Sequence, residues 1–181
     1  KYVDLLGGTI EVESELGKGS TFTVTLKHKI ADESYYVKKH LEESGISREI
    51  LKNRSILLAE DNDLNAEIAA VILERAGLKV ERVEDGLQCI SRITEMPAGT
   101  YDIILMDIQM PKMDGYKATQ TIRNLSDQEK ACIPIIAMTA NAFEEDKRAA
   151  IAAGMNGHIA KPIQVDKLLS ILAEMIRQQE N

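Results

Sequence analysis

Five polar side chains follow short apolar runs at widely separated places in the chain: Glu60, Asp61, Asp107, Thr139 and Lys161. Two carboxylates brought to about 4 Å repel each other by roughly 4 kcal/mol at an effective dielectric of about 20, and a hard divalent cation such as Mg²⁺ relieves that repulsion. A lysine and a hydroxyl beside them suit the oxygens of a transferred phosphoryl group. One carboxylate can itself be the nucleophile and form an acyl phosphate. These residue types predict Mg²⁺-dependent phosphoryl transfer to or from an aspartate.

The apolar runs before these residues have the character of buried parallel strands. The runs ILLA (56–59), IILM (103–106) and IIAM (135–138) are nearly continuous, which is typical of strands covered on both faces. Weaker strand patterns surround Val80 and Ile159. Helical stripes lie between the runs, at Leu64, Ile68 and Ile72, at Leu87, Ile90 and Ile93, and at Leu168, Leu172 and Ile176. Five β–α pairs in residues 55–181 predict an α/β fold with an open, doubly wound parallel sheet and five helices on its two faces.

This architecture explains why residues so far apart in the chain can share a site. In an open parallel sheet, ligands bind beyond the carboxyl ends of the strands. Taken singly, Asp61 or Asn62 is explained as a helix cap, and Lys161 as a solvated surface charge. The placement of all five polar groups at one edge favours a shared site over these separate explanations.

Two enzyme designs fit this chemistry. In one, the nucleophile lies after the first strand in a DxD pattern, as in haloacid-dehalogenase-type phosphatases, and Asp61-Asn62-Asp63 offers that pattern. That design also needs an acidic pair after the lysine, where this chain has only Asp166. In the other design, the nucleophile is the middle-strand aspartate, Asp107, and the acids after the first strand hold the metal.

Charge and cysteine content limit the classes of partner. The net charge of −7 lies entirely in residues 55–181, since residues 1–54 carry nine basic and nine acidic side chains. An acidic domain is a poor nucleic-acid binder, so we expect no nucleic-acid partner. The two cysteines form no CxxC or Cys/His cluster, which argues against a disulfide framework or structural zinc and indicates a reducing, cytoplasmic setting. No apolar run approaches the ~18 residues of a membrane span, so we expect no direct membrane contact in this chain.

The first 54 residues divide into two further segments. Residues 1–30 show a helix end at 1–6, closed by Gly7-Gly8, and then two alternating β-branched stretches, TIEVES (9–14) and TFTVTLK (21–27), around a glycine-containing turn. Because an isolated hairpin is marginal in water, the rest of its sheet is expected to lie outside this chain. Residues 31–54 are highly charged without a long apolar run and are predicted to be a partly helical linker.

Residues 55–181 resemble a response-regulator receiver domain over their full length. The matching segments are LLAEDND (57–63), LMDIQMPKMDGY (105–116), IIAMTANAF (135–143) and GMNGHIAKPI (154–163). The resemblance implies a flavodoxin-like sheet of strand order 2-1-3-4-5 and a cis Lys161–Pro162 bond. It favours Asp107 as the phosphoacceptor.

The resemblance also implies roles for the surrounding residues. Mg²⁺ would be held by Glu60, Asp61, Asp107 and the backbone carbonyl of Gln109, with Glu60 acting mostly through water. The phosphoryl group would be bound by Thr139, Lys161 and the backbone amide of Ala140. Thr139 and His158 would be the switch residues, although receivers usually carry Tyr or Phe where this chain has His158. Gln109 and Asn141 would tune the lifetime of the acyl phosphate.

Residues 1–28 resemble the end of a histidine-kinase ATP-binding domain, through KYVDLLGGTIEVES and GKGSTFTVTL. The order of segments is similar to that of a hybrid histidine kinase. The resemblance implies that this chain is a fragment of such a kinase, and it leaves open a membrane anchor elsewhere in the whole kinase. The chain lacks most of the kinase, and neither His28 nor His40 lies in a phosphodonor motif. The implied partners are a kinase dimerisation and phosphodonor domain and a histidine phosphotransfer protein, with a homodimer as a further option.

Two other functions stay open at this point. A receiver fold can serve as a passive docking or dimerisation module, and the site residues also allow a Mg²⁺-dependent phosphatase with an aspartate nucleophile.

Overall fold

The computed structural model describes residues 3, 7–26, 48–140 and 144–179, and the chain forms two compact units that divide between residues 33 and 34. In the first unit, β1 (Thr9–Glu15) pairs antiparallel with β2 (Gly19–Thr25). This confirms the predicted hairpin. The register sets Ile10 against Val24 and Val12 against Phe22, so one face of the hairpin is apolar and exposed. Apart from residue 3, the predicted helix end at 1–6 lies outside the described residues, and so does most of the predicted linker.

The second unit is built on a five-stranded parallel sheet. Its strands are β3 (Ser55–Ala59), β4 (Lys79–Val83), β5 (Ile103–Asp107), β6 (Ile135–Thr139) and β7 (Gly157–Ala160). They lie in the order β4-β3-β5-β6-β7, and every neighbouring pair is parallel. Counted within this unit, that is the predicted order 2-1-3-4-5, so the flavodoxin-like prediction is confirmed.

The described part of this unit also contains five helices of at least nine residues and two helical segments of a single turn. The helices are α1 (Arg48–Leu51), α2 (Asp63–Arg75), α3 (Gly86–Glu95), α4 (Gly115–Arg123), α5 (Gln128–Ala131), α6 (Glu144–Ala153) and α7 (Val165–Gln179). Several begin at a side chain that accepts a hydrogen bond from the first turn, as N-caps do: Asn62, Asp85, Asp114 and Asp127. The short α1 falls within the predicted linker, yet Leu51 is fully buried in the core.

The sheet is covered on both faces, as the near-continuous apolar strands predict. Alternate residues of β3 face opposite sides, so Ile56 and Leu58 pack towards α2 and α7, whereas Leu57 and Ala59 pack towards α3 and α4. Both cysteines are free, Cys89 buried and Cys132 exposed. Among the described residues, no helix has the length and apolar character needed to cross a membrane.

The buried face of α2 differs from the stripe that indicated this helix. Ala66, Ala69 and Leu73 are buried against the sheet, whereas Leu64 is 64% exposed and Ile68 is 47% exposed. Small alanine side chains let the helix approach the sheet closely, so the larger side chains at 64 and 68 face outward. Two exposed aliphatic side chains therefore lie on one face of α2, near the carboxyl end of β3.

Candidate functional site

Three carboxylates converge at the carboxyl ends of β3 and β5. Glu60 and Asp61 directly follow β3, and Asp107 is the last residue of β5. Their ligand oxygens all lie within 4.8 Å of one another. Glu60 is 1% exposed and Asp107 is 5% exposed, while Asp61 is exposed and opens the cluster to solvent. The cap of α2 is Asn62, which accepts a hydrogen bond from the amide of Asn65, so helix capping does not account for Asp61.

Lys161 provides the positive charge of the site. Its Nζ lies 2.6 Å from Oε2 of Glu60 and 2.7 Å from Oδ2 of Asp107, so one ammonium bridges the two buried acids. Burial disfavours the ammonium, but the hydrogen bonds to Asp107 and Glu60 outweigh burial and raise the pKa of Lys161. The backbone amide of Lys161 donates to the carbonyl of Thr139 at 2.7 Å, which fixes the end of β7 beside the end of β6. The Lys161–Pro162 bond is cis, as predicted.

The environment of Asp107 shifts its ionisation. Burial raises the pKa of its carboxyl, and the nearby charge of Glu60 adds to this, against the opposing effect of Lys161. The other carboxylate oxygen, Oδ1, accepts a hydrogen bond from the amide of Gln109 at 3.2 Å. Glu60 is held in turn by the side-chain amide of Asn65 at 3.1 Å. The Asp107 carboxylate therefore has fixed partners at both oxygens.

Four of the other predicted site residues lie at or near the same edge of the sheet, and the fifth is not described. Thr139 is buried at the end of β6, and Ala140 follows it at the same edge of the sheet. Gln109 is exposed, two residues beyond Asp107. His158 is half-buried on β7, three residues before Lys161. Asn141 lies outside the described residues.

The loop after Asp107 contains contacts that the sequence analysis did not single out. The Nζ of Lys112 lies 2.6 Å from Oδ2 of the buried Asp85, which also caps α3. Lys112 has a positive φ of 60°, and the amide of Gly86 donates to the carbonyl of Met113. A Cβ at Gly115 would stand 2.2 Å from the carbonyl oxygen of Asp107, which requires glycine at that position. In the sequence, the Asp-Gly pairs at 85–86 and 114–115 indicate these contacts, since each pair marks the start of a helix.

The donor set suits a hard divalent cation. Three carboxylates in one cluster, two of them buried, offer the oxygen ligands that Mg²⁺ takes in small numbers alongside water and phosphate oxygens. The cluster holds no thiolate or imidazole, which softer metals prefer. The residues present thus fit Mg²⁺.

Comparison with known proteins gives concordant matches. Residues 56–173 match the response regulator receiver domain family. The chain is 37% identical over 167 residues to the autoinducer 2 sensor kinase/phosphatase LuxQ of Vibrio vulnificus, covering 92% of this chain and 18% of LuxQ. It is also 37% identical over 118 residues to the histidine-protein kinase BarA of Escherichia coli, covering 65% of this chain and 12% of BarA. The chain thus spans less than a fifth of the length of these curated relatives.

Two solved structures are similar in both fold and sequence. The receiver domain of the sensor histidine kinase PA1611 from Pseudomonas aeruginosa, with a magnesium ion coordinated in its active-site cleft, matches with a TM-score of 0.62 at 39% identity over 68% of this chain and 98% of that chain. A chain from the Saccharomyces cerevisiae co-crystal structure of the histidine phosphotransfer protein Ypd1 with the receiver domain of Ssk1 matches with a TM-score of 0.64 at 26% identity. That match covers 71% of this chain and 92% of the other.

Proposed function

Because the chain belongs to the response regulator receiver domain family, we propose that its two-component phosphorelay role is carried out by Asp107, which accepts a phosphoryl group from a phosphohistidine. The observation that carries this proposal is the buried Asp107 carboxylate, clustered with Glu60 and Asp61 and bridged by Lys161 at 2.7 Å. This is the second of the two enzyme designs, with the middle-strand aspartate as nucleophile.

Different residues of the chain have different roles in phosphoryl transfer. A carboxylate oxygen of Asp107 attacks phosphorus, the P–N bond to the donor imidazole breaks, and the imidazole leaves with the bonding electron pair. Bound Mg²⁺, held by Glu60, Asp61, Asp107 and the carbonyl of Gln109, would neutralise negative charge on the acids and the phosphoryl oxygens. Lys161, already at the acceptor carboxylate, supplies a cation to the transferred group.

Phosphoryl recognition and switching extend this proposal to neighbouring residues. Thr139 at the end of β6 and the amide of Ala140 donate hydrogen bonds to phosphoryl oxygens. Movement of Thr139 towards the phosphoryl group leaves space for His158 to turn inward. Comparing a complex with a phosphoryl mimic against the free chain tests this, and a histidine ring that stays in place would eliminate its switching role.

A labelling experiment tests the acceptor assignment. Acetyl phosphate with Mg²⁺ should add one phosphoryl group per chain, detected by intact mass, and Asp107→Asn should abolish the addition. Asp63→Asn is the matched control, because Asp63 is 92% exposed and belongs to the alternative DxD pattern. Unchanged labelling of Asp107→Asn would refute the proposal. If Asp63→Asn loses labelling and the unsubstituted chain hydrolyses many acetyl phosphate molecules, the result would favour the phosphatase. If the unsubstituted chain is folded but is never labelled, the result would favour the passive docking or dimerisation module.

The exposed residues of α2 supply a surface for the phosphodonor partner. Leu64 and Ile68 lie on one face of a helix that begins two residues after Asp61, so an apolar surface adjoins the acceptor site. We propose that a histidine phosphotransfer protein docks there, a partner class represented by Ypd1 in the Ssk1 co-crystal structure. Leu64→Ser and Ile68→Ser should slow transfer from such a protein without altering acetyl phosphate labelling. Ile151→Ser, at an exposed site on α6, is the control, and an equal slowing of transfer by all three variants would contradict the proposal.

The hairpin of β1 and β2 supports a proposal about the parent protein. The match to LuxQ spans 167 residues, which is more than residues 55–181 contain, so it extends into the segments that precede the receiver. We propose that the parent is a cytoplasmic or membrane-anchored hybrid histidine kinase and that residues 1–30 end its ATP-binding domain. This chain by itself should show no ATP binding in calorimetry, and micromolar affinity would contradict that expectation.

A further inference from the structure

Arg82 contacts three parts of the segment that carries two of the clustered acids. It lies on β4, the edge strand beside β3. Its Nε donates to the carbonyl oxygen of Glu60 at 3.0 Å, and its Nη2 donates to the carbonyl oxygen of Asp61 at 3.2 Å. Its Nη1 lies 2.8 Å from Oδ1 of Asp63, in the first turn of α2. One planar cation therefore holds two successive backbone carbonyls and the start of the next helix.

We propose that Arg82 is a positioning residue for the divalent-metal site, holding the backbone of Glu60 and Asp61 so that their carboxylates stay close to Asp107 before metal binds. The proposal rests on the proposed function, because it takes the three-carboxylate cluster as the metal site. Like charges in the cluster repel and tend to splay the loop apart. The rigid fork of a guanidinium opposes this, since its donors fix two acceptors in one geometry. Preorganisation of this kind reduces the ordering that metal binding must otherwise bring about.

The direction in which Mg²⁺ affinity changes when Arg82 is replaced distinguishes a positioning role from a purely electrostatic one. Arg82 is a cation near the cluster, so a purely Coulombic role would repel Mg²⁺, and removing the charge would tighten Mg²⁺ binding. A positioning role has the opposite consequence, because the loop loses its fixed geometry when the fork is removed. Outer partners of metal ligands contribute about 10- to 100-fold to metal affinity in known sites.

Three substitutions test this role in the full chain. Arg82→Gln removes both the charge and the fork, and Arg82→Lys keeps the charge without the fork. Arg92→Gln is the matched control, because Arg92 pairs with Glu81, the neighbouring β4 residue. Successive strand residues face opposite sides of the sheet, so this second arginine pair lies away from the acidic loop. The readouts are the Mg²⁺ dissociation constant by calorimetry and urea unfolding of the same samples without Mg²⁺.

We expect both Arg82 variants to weaken Mg²⁺ binding by about tenfold, with Arg92→Gln unchanged and the folded fraction of all three near that of the parent. Affinity equal to or tighter than the parent in Arg82→Gln would overturn the proposal. The proposal would also be overturned if Arg82→Lys kept full Mg²⁺ affinity, or if the loss of Mg²⁺ affinity in the Arg82 variants matched the loss of folded protein. If the unsubstituted chain binds no Mg²⁺, the proposed function itself is refuted. If Asp107 is labelled and Arg82→Gln binds Mg²⁺ with unchanged affinity, only the role of Arg82 is refuted.

Discussion

Replacement of Lys161 by methionine should destabilise the fold by leaving two buried carboxylates without their shared cation. The Nζ of Lys161 lies 2.6 Å from Glu60 and 2.7 Å from Asp107. Unit charges at this separation attract by about 6 kcal/mol each at an effective dielectric of roughly 20, and the dehydration of the lysine offsets much of that gain. Removing one partner from a buried ion pair typically costs about 3–5 kcal/mol. Since Lys161 retains some contact with solvent, we expect a loss of about 3 kcal/mol at pH 7.

The pH dependence of this loss follows from Asp107. Burial raises the pKa of Asp107, and Lys161 opposes the rise. A carboxyl whose folded pKa is raised contributes stability that is fully present below its unfolded pKa of about 3.9, and this stability is lost as the pH rises through the folded pKa. Without Lys161 the folded pKa of Asp107 rises further. The deficit of Lys161→Met relative to the parent should therefore be small near pH 4 and should grow towards pH 7 and above.

Urea unfolding followed by circular dichroism, at several pH values without Mg²⁺, measures this deficit. Lys167→Met is the matched control, because Lys167 is an exposed lysine on α7 and surface substitutions stay within about 0.5 kcal/mol. Mg²⁺ should restore stability to Lys161→Met more than to the parent, since the metal then neutralises the acids without competing with an ammonium. A deficit at pH 7 no larger than that of the control, or one that does not change with pH, would refute the reasoning.

Three further predictions concern the loop after Asp107 and the residues that contact it. Gly115→Ala should lower stability by about 1–3 kcal/mol in urea unfolding, because its Cβ would stand 2.2 Å from the carbonyl oxygen of Asp107; a neutral result would contradict that geometry. Asp85→Ala should cost about 1 kcal/mol more than Asp85→Asn, because asparagine keeps the cap of α3 and loses only the ion pair with Lys112; equal costs would show that the cap contributes nothing. Gln109→Leu should change the rate of acyl phosphate loss in a phosphate-release assay, because under the proposed function the exposed side chain of Gln109, two residues after Asp107, would flank the path of the attacking water; an unchanged rate would exclude a gating role.

Sequence reasoning could predict the sheet because its signals are local. The apolar runs before Glu60, Asp107 and Thr139 define buried strands, and the carboxyl ends of parallel strands meet at one edge. The placement of Glu60, Asp61, Asp107 and Lys161 in one cluster is therefore recoverable from residue order alone. Their distances and the fully buried position of Glu60 required the structure.

The parts that escaped prediction depend on contacts between segments or on small side chains. Ala66 and Ala69 carry weak hydrophobic signals, so the stripe through Leu64 indicated a helix without indicating which of its faces is buried. The contacts of Arg82 depend on backbone carbonyls of another segment, and residue type alone does not reveal them. The short helix α1 lies in a charged stretch, and only its packing shows that Leu51 belongs to the core.

Site-mapped phosphotransfer tests the central claim most directly. The chain would be incubated with a phosphorylated histidine phosphotransfer protein, with and without Mg²⁺, and the acyl phosphate would be trapped by borohydride reduction and located by peptide mass analysis. The proposal predicts one modified residue, Asp107, formed only when Mg²⁺ is present. Modification of Asp61 instead, or of no residue in a folded chain that binds Mg²⁺, would contradict it.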